Sequence, residues 1–505
     1  MRKTAEPLQE NVPVNKDLQT LGTHTLIYGL GIIVSKAASF IMLPIYTRCL
    51  TPADYGTLEL LSTTIDVISM IAGVGLAGSV FKFYYEYDMP RERGRIISTA
   101  TLTMLVISTL VTALGLTHSK KITTLVFGTP DNVTYFRMFF LIYLLQSGNL
   151  IPYLYLRARQ ESVRFVAVSI AKLILQLTLN ICFVVWLRWG VTGVLSSTLV
   201  AESALLLYLS VYTFQRVGFE FSVHEAKRLI AFGYPLVFWS LGSFLITFSD
   251  RYFLNHFSDT ASVGIYSLAC KFGFILTTLA FVPFNQIWEP QRFEIAKRPQ
   301  ANETFRRVFF DLNLILLSMA LIISLFSRDV VVVMADPAFH EAYKLVPIIM
   351  LTMVFQSWTA YCNIGFFLQD KMRMYALSAA IAVAVSLTLN ALLIPRFGYY
   401  GAAWAGVGVF GVRFLVVYAM SQRYYPIEYG WQRLARLAGA IALIYALRQL
   451  AGWGGVLISA SLSLALTVGF LYLLYSLFLG DDEKLFLRRL VAKPLAAISF
   501  SKTGD

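Results

Sequence analysis

Lys36, Lys172 and Lys271 each stand inside an apolar stretch long enough to cross a bilayer, and Arg413 does the same nearer the C-terminus. A charge at the centre of a membrane helix costs about 2.5–3.5 kcal/mol on insertion scales. The arrangement that offsets such a cost is a hydrated cavity between helices, whose fixed cations hold an anion. Three carboxylates, Asp66, Glu202 and Asp250, occupy similar stretches. They are candidate counter-charges for the lysines and equally candidate proton or sodium sites. Polar residues recur at steps of three and four around these charges: Glu59, Ser62, Asp66, Ser69 and Gly73; Ser169, Lys172, Gln176 and Asn180; Ser240, Ser243, Thr247 and Asp250; Ser267, Lys271 and Thr278. That spacing puts each set on one helix face. Lipid cannot satisfy such groups, so each face must meet other helices or water. For the hydroxyls, interhelical hydrogen bonding is a sufficient role. The four cysteines (Cys49, Cys182, Cys270, Cys362) form no CxxC pair and the five histidines are scattered, so neither a metal site nor a disulfide framework is expected. No phosphate-binding P-loop is present and no cofactor is expected, which leaves a proton or sodium gradient as the energy source to test.

The elements that must position these residues are membrane spans. Of 505 residues 57% are hydrophobic and only 14% charged, with mean hydropathy +0.65, against roughly 25% charged in soluble domains. The expected fold class is an all-α polytopic membrane protein with about fourteen transmembrane helices, near 24–48, 57–84, 96–116, 134–156, 165–187, 191–214, 228–250, 262–287, 306–326, 342–366, 374–394, 399–421, 432–449 and 454–479. Arginine and lysine concentrate in alternate loops, for example Arg91, Arg93 and Arg95; Arg157, Arg159 and Arg164; Arg216, Lys227 and Arg228; and Arg292, Lys297 and Arg298. The opposite loops hold mostly one basic residue each. The positive-inside rule makes the basic set, with both termini, cytoplasmic. The net charge of +13 sits in these short loops and does not call for nucleic acid.

Leu177-Thr178-Leu179-Asn180 recurs as Leu387-Thr388-Leu389-Asn390, each copy followed by a turn with two glycines, Gly190 and Gly193 or Gly398 and Gly401. The offset of Gly193 to Gly401 also links Gly56 to Gly264. Spans 1–6 and 7–12 therefore read as two copies of a six-helix unit in the same orientation, with a site at their interface near the midplane. The expected organisation is an N-terminal segment (1–22), an N-lobe (23–214), a linker (215–227), a C-lobe (228–424), two further helices (425–479) and a tail (480–505).

The stretch Leu43-Pro44-Ile45-Tyr46-Thr47-Arg48-Cys49-Leu50-Thr51-Pro52-Ala53-Asp54-Tyr55-Gly56 resembles the first-helix signature of bacterial polysaccharide flippases. Ser249-Asp250-Arg251-Tyr252-Phe253-Leu254 with Val263-Gly264-Ile265-Tyr266-Ser267-Leu268-Ala269 resembles the matching segment of their second half. The resemblance is to the Wzx-like O-antigen and exopolysaccharide flippases, in the superfamily that also holds multidrug exporters. It implies two six-helix lobes alternating between inward-open and outward-open states in the bacterial cytoplasmic membrane. It also implies as substrate an oligosaccharide repeat unit on a polyprenyl pyrophosphate. Lys36, Arg48, Lys172, Arg251, Lys271 and Arg413 are the expected substrate contacts; Arg48 and Arg251 lie in the resembling segments and the other four rest on the charge argument. Expected partners are membrane lipids and the polymerase and glycosyltransferases of the same pathway. One chain carries both lobes, so a monomer suffices. Two competing readings are a cation-coupled drug exporter and a membrane enzyme acting on the same lipid-linked sugars. The first predicts an acid in spans one and seven, where span one has Lys36 and span seven has Asp250 only at its outer end. The second predicts a large outer loop bearing an acid pair, nucleophile triad or metal cluster, and the outer loops are short.

Overall fold

The computed structural model describes residues 42–478 apart from 74, 452 and 453. Lys36 and most of the first expected span lie outside the described residues. In chain order the α-helices are α1 (Leu43–Cys49), α2 (Pro52–Ala72), α3 (Leu76–Glu86), α4 (Pro90–Phe127), α5 (Val133–Ala158), α6 (Ser162–Asn180), α7 (Gly190–Val217), α8 (Val223–Phe257), α9 (Thr260–Leu276), α10 (Val282–Ile295), α11 (Ala301–Met334), α12 (Ala342–Cys362), α13 (Ile364–Leu368), α14 (Met372–Tyr424), α15 (Trp431–Leu450) and α16 (Val456–Leu477). π-helical stretches continue α6 through Ile181–Trp186 and join α9 to α10 through Thr277–Phe281. Helix stands at each expected span from the second to the fourteenth, and the fold is all-helical and polytopic. By length and composition, nine helices among the described residues can cross a membrane, or eleven if two bent pairs each count as one span.

The breaks have local causes. α2 and α3 meet at 41° around Gly73 and Gly75. Gly75 has φ +63°, and a Cβ there would lie 2.3 Å from the Gly233 carbonyl oxygen. α8 bends by 52° just after Pro235, as expected where proline removes a ladder hydrogen bond. The 53 residues of α14 would measure about 80 Å if straight, far more than a bilayer core of about 30 Å. Gly398 (φ 55°, ψ −133°) divides the helix at the junction expected between spans eleven and twelve.

By packing, the chain forms two compact units. The first comprises the residues up to Ser267 together with Met334–Phe339 and Val383–Ala405. Its core includes Leu61, Ile65, Phe136, Phe140, Tyr143 and Leu195, and, toward the basic-loop end, Val80, Phe83, Ile96, Ile97, Met104 and Ile151. The segment after α7 is pinned along α4, with Glu220 N donating to Ser98 Oγ (3.1 Å) and Ser222 N to Thr99 Oγ1 (3.2 Å).

The duplication is visible in the backbone. Gly190 and Gly398 have φ of 56° and 55°, and Gln160 and Asp370 in the basic turns have 56° and 51°. The glycines linked by the internal offset touch each other. A Cβ on Gly56 would lie 1.9 Å from Thr260 O, and one on Gly264 would lie 2.1 Å from Pro52 O. α2 and α9 thus cross at a point where neither tolerates a side chain. Asn180 and Asn390 are also equivalent in role. Asn180 Nδ2 donates to the Tyr46 hydroxyl (2.9 Å) and Asn390 Nδ2 to Ser249 Oγ (3.3 Å).

The second unit comprises Leu268–Val333, His340–Ala382 and the residues from Gly406 onward. Phe310, Leu321, Leu325, Leu437 and Phe470 join α11, α15 and α16. Rings of Phe309, Trp358, Tyr361, Tyr429 and Trp431 cluster beside them. Arg448, near the end of the thirteenth expected span, is fully buried on α15. It donates to Ser459 (2.5 Å) and Ser463 (3.1 Å) and so pins α15 to α16.

Candidate functional site

The polar stripe of α6 forms a ladder with α7. Lys172 Nζ lies 2.5 Å from Glu202 Oε1, Gln176 Nε2 donates to Thr198 Oγ1 (3.1 Å), and Ser197 Oγ donates to Asn180 Oδ1 (2.5 Å). Steps of four on α6 meet descending positions on the antiparallel α7, so the spacing aligns donors with acceptors. Glu202 is the best-connected group. Besides Lys172 it accepts from Asn149 Nδ2 (2.9 Å) and Gln146 Nε2 (3.2 Å) on α5. Its side chain is 3% exposed and that of Lys172 27%. The carboxylate is therefore enclosed, while the ammonium reaches an opening.

That opening is a groove of about 970 Å³ along α6 and α7, in the size range of small-ligand sites. Its wall is mostly apolar, with Val163, Val168, Leu175 and Leu205 among the lining residues, and Lys172 stands inside it. Arg159, Glu161, Arg164 and Arg216 line its mouth on the basic-loop side. There Glu161 accepts from Arg164 (2.5 Å), Arg159 (2.8 Å), Arg216 (3.0 Å) and the Tyr212 hydroxyl. The Arg164 and Arg216 guanidiniums lie 4.5 and 4.4 Å from the Tyr212 ring centre. The turn through Gln160 (φ 56°) brings Arg159 and Glu161 to the start of α6. Burial by itself would raise the Glu161 carboxyl, but the Tyr212 hydroxyl and the three arginines outweigh it and hold the group below the usual glutamate value. Three cations share one carboxylate, so the mouth is net positive. The groove thus has an apolar length with a cationic end, which is the surface complement of an amphiphile with an anionic head.

The other expected residues fall as follows. Arg251 is buried, bonded to Asp250 Oδ1 (3.1 Å), with its guanidinium 4.9 Å from the Phe248 ring centre. The Tyr266 hydroxyl donates to Asp250 Oδ2 (2.5 Å). Asp250 is therefore the counter-charge of Arg251, as Glu202 is of Lys172. Arg48 and Asp66 are exposed, the latter two residues after Thr64, whose hydroxyl lies 3.0 Å from that of Tyr252. These all belong to the first unit. Lys271 and Arg413 belong to the second and are half-buried. Of the expected contacts among the described residues only Lys172 lines the groove; Arg159, Arg164 and Arg216, which in the sequence serve as orientation signals, form its mouth. Among the described residues no three His, Cys, Asp or Glu gather as a metal site would need.

Residues 21–295 match the family described as polysaccharide biosynthesis protein. The chain belongs to that family. Among curated relatives of this polysaccharide biosynthesis protein is the succinoglycan biosynthesis transport protein ExoT of Rhizobium meliloti (strain 1021), 24% identical over 250 residues. The alignment covers 48% of each chain, so this protein spans about half the length of that relative. The fold is similar to that of the lipid II flippase MurJ in an inward closed conformation, with a TM-score of 0.71 at 11% identity, covering 89% of this chain and 99% of that one. It also resembles an inward-facing multidrug resistance MATE family transporter of the MOP superfamily, with a TM-score of 0.62 at 13% identity, covering 77% and 94%. The protein is accordingly a multi-pass membrane protein of the polysaccharide biosynthesis protein family, with the fold shared by MurJ and the MATE transporter.

Proposed function

We propose that the protein is a flippase, not an enzyme, and that it moves a polyprenyl-pyrophosphate-linked oligosaccharide from the inner to the outer leaflet of a bacterial cytoplasmic membrane by alternating access. The observation that carries this reading is the groove of α6 and α7, apolar along its length, cationic at its mouth and holding Lys172 inside it. A pyrophosphate carries two or more negative charges into a region of low dielectric, where fixed cations replace its lost water. On this reading the basic-loop side is cytoplasmic, Arg159, Arg164 and Arg216 meet the headgroup first, and Lys36, Arg48, Lys172, Arg251, Lys271 and Arg413 attend its passage. Asp66, Glu202 and Asp250 are the groups to test for proton or sodium coupling. The polymerase and glycosyltransferases of the same pathway are its partners, and a monomer suffices.

A cation-exporting relative of the same fold would use Glu202 or Asp250 to hold positive cargo. Both are already neutralised by Lys172 and Arg251, which favours anionic cargo. The test is mass spectrometry of the lipid fraction from cells depleted of the protein. Accumulation of a polyprenyl-pyrophosphate oligosaccharide with loss of surface polymer is expected. An unchanged lipid pool with new sensitivity to small toxic cations refutes the reading in favour of the exporter.

A further inference from the structure

In the second unit two arginines stand at the ends of a pair of rings. Arg292, on α10, is 5% exposed. Its guanidinium lies 3.8 Å from the Phe367 ring centre and 5.1 Å from that of Phe293. Its one hydrogen bond runs from Nη1 to Asn363 Oδ1 (3.1 Å), and its Nε is enclosed without a partner. Phe367 and Tyr375 follow at 6.1 Å between centroids. The Arg413 guanidinium lies 5.8 Å from the Tyr375 ring centre, and its Nε too is enclosed without a partner. Among the described residues neither arginine has a carboxylate within ion-pair distance. Glu289 is an acid whose charge acts on Arg292 from beyond ion-pair distance; it is exposed and accepts from Asn285 Nδ2 (2.8 Å).

The contrast with the other enclosed cations decides what this means. Lys172 has Glu202, Arg251 has Asp250, Arg228 has Glu86 and Glu225, and Arg448 has the hydroxyls of Ser459 and Ser463. A guanidinium taken from water without a counter-charge is strongly disfavoured, so two that flank one ring pair, each with its Nε left without a partner, favour an anion from outside the chain. Position selects its source. Arg292 is three residues from the end of α10 and Tyr375 is the fourth residue of α14, each about 5 Å inside its helix end. Exposed Lys371 and Arg373 flank the adjoining turn. For Arg292 and Tyr375 that is the depth of lipid phosphates at a membrane surface; Arg413 lies deeper, about 16 Å from the end of α14, and its guanidinium joins the site beside Tyr375. A planar guanidinium suits a phosphate's paired oxygens.

We infer that Arg292 and Arg413, flanking the Phe367–Tyr375 ring pair, form a binding site for the phosphate of an inner-leaflet lipid headgroup. The site rests on the proposed function only for its orientation and for the case in which that lipid is the transported one. A bulk anionic phospholipid presents the same chemistry.

The test is native mass spectrometry of the full-length protein, released from micelles containing polyprenyl monophosphate, phosphatidylglycerol or diacylglycerol. Retention of the phosphate-bearing lipids over diacylglycerol is expected, falling about tenfold in Arg292→Gln and in Arg413→Gln. Preference for polyprenyl phosphate identifies the cargo, and equal retention of both phosphates identifies bulk lipid; either supports the site. Unchanged retention in both variants overturns it. Should a variant not fold, hydrogen exchange of residues 363–375 in the wild type decides: protection by polyprenyl phosphate or phosphatidylglycerol supports the site, and its absence with both overturns it. Binding is read without transport, so an unchanged lipid pool in depleted cells would refute the flippase reading and leave this site standing.

Discussion

Replacing Lys172 by methionine removes the one full positive charge bonded to a carboxylate that is 3% exposed. The Gln146 and Asn149 amides remain as donors to Glu202, but amides do not neutralise it. Breaking one side of a buried ion pair costs about 3–5 kcal/mol. Lys172 is partly open to the groove and two amides stay behind, so the lower end applies, about 3 kcal/mol. Unfolding entropy of about 2.1 cal/mol/K per residue makes that a fall of about 3 °C in Tm for a chain of this length. Glu202→Gln leaves the ammonium, which reaches water through the groove, and is milder, about 1–2 kcal/mol. The double substitution Lys172→Met/Glu202→Gln leaves no charge to strand, so it should be more stable than Lys172→Met alone, with a coupling of about 2 kcal/mol. The assay is thermal unfolding of the four proteins in one detergent, read with transport in cells. The double variant should fold and still accumulate lipid-linked oligosaccharide, because the groove has lost its inner cation. Wild-type melting in Lys172→Met, or a double variant less stable than both singles, refutes the argument.

Other outcomes follow from single positions. Gly56→Ala and Gly264→Ala each force a Cβ within 2.1 Å of a facing carbonyl oxygen and should destabilise by about 1–3 kcal/mol, whereas Gly439→Ala meets open space and should not; unfolding in detergent compares them. Glu161 is held below the usual glutamate value of about 4.3. Its cluster therefore contributes stability above that pH and loses it as pH falls through the lowered value. Glu161→Gln should melt below the wild type at pH 7 and alongside it well below pH 4; an equal gap at both refutes the assignment. If Asp66 couples a proton, Asp66→Asn should flatten the pH dependence of transport, and an unchanged pH profile refutes that role.

The scaffold was legible in the sequence where packing leaves no choice of residue. Gly56 and Gly264 share an offset because each backbone lies against the other, and only glycine fits. The repeat is offset by 210 residues at Leu177-Thr178-Leu179-Asn180 but by 208 at the glycines. The first copy has ten steps from Asn180 to Gly190, where the second has eight from Asn390 to Gly398. The longer stretch contains the π-helical turn Ile181–Trp186, a local form that propensity and periodicity do not announce. The groove mouth was hidden for a different reason. Arg159, Arg164 and Arg216 are basic loop residues of the kind that sets orientation, and their gathering on Glu161 depends on Arg216, 55 positions away. Arg292 was lost to a boundary. The expected span stops at 287, whereas α10 runs to Ile295, and Trp288, Arg292 and Ile295 then form one buried face at helical spacing.

The two copies agree in what bends and packs the helices and differ in what carries charge. Asn180 and Asn390 correspond, as do Gly190 and Gly398, but the position equivalent to Lys172 is Ala382 and that equivalent to Glu202 is Phe410. The first copy thus pairs a cation with its own carboxylate at these positions, where the second has neither; the second instead holds Arg251 with Asp250, and Arg413 with no carboxylate within ion-pair distance among the described residues. A symmetric frame is what two alternating states require, yet an anion bound equally well in both would not be moved by the change between them. Charge placed unequally on equal helices supplies the difference. Placing a lysine at Ala382 and a glutamate at Phe410 in one protein tests this: the new pair is expected to be tolerated at the repeat-equivalent positions and to slow export of the lipid-linked oligosaccharide, and normal export from a folded variant would show that the asymmetry does not matter.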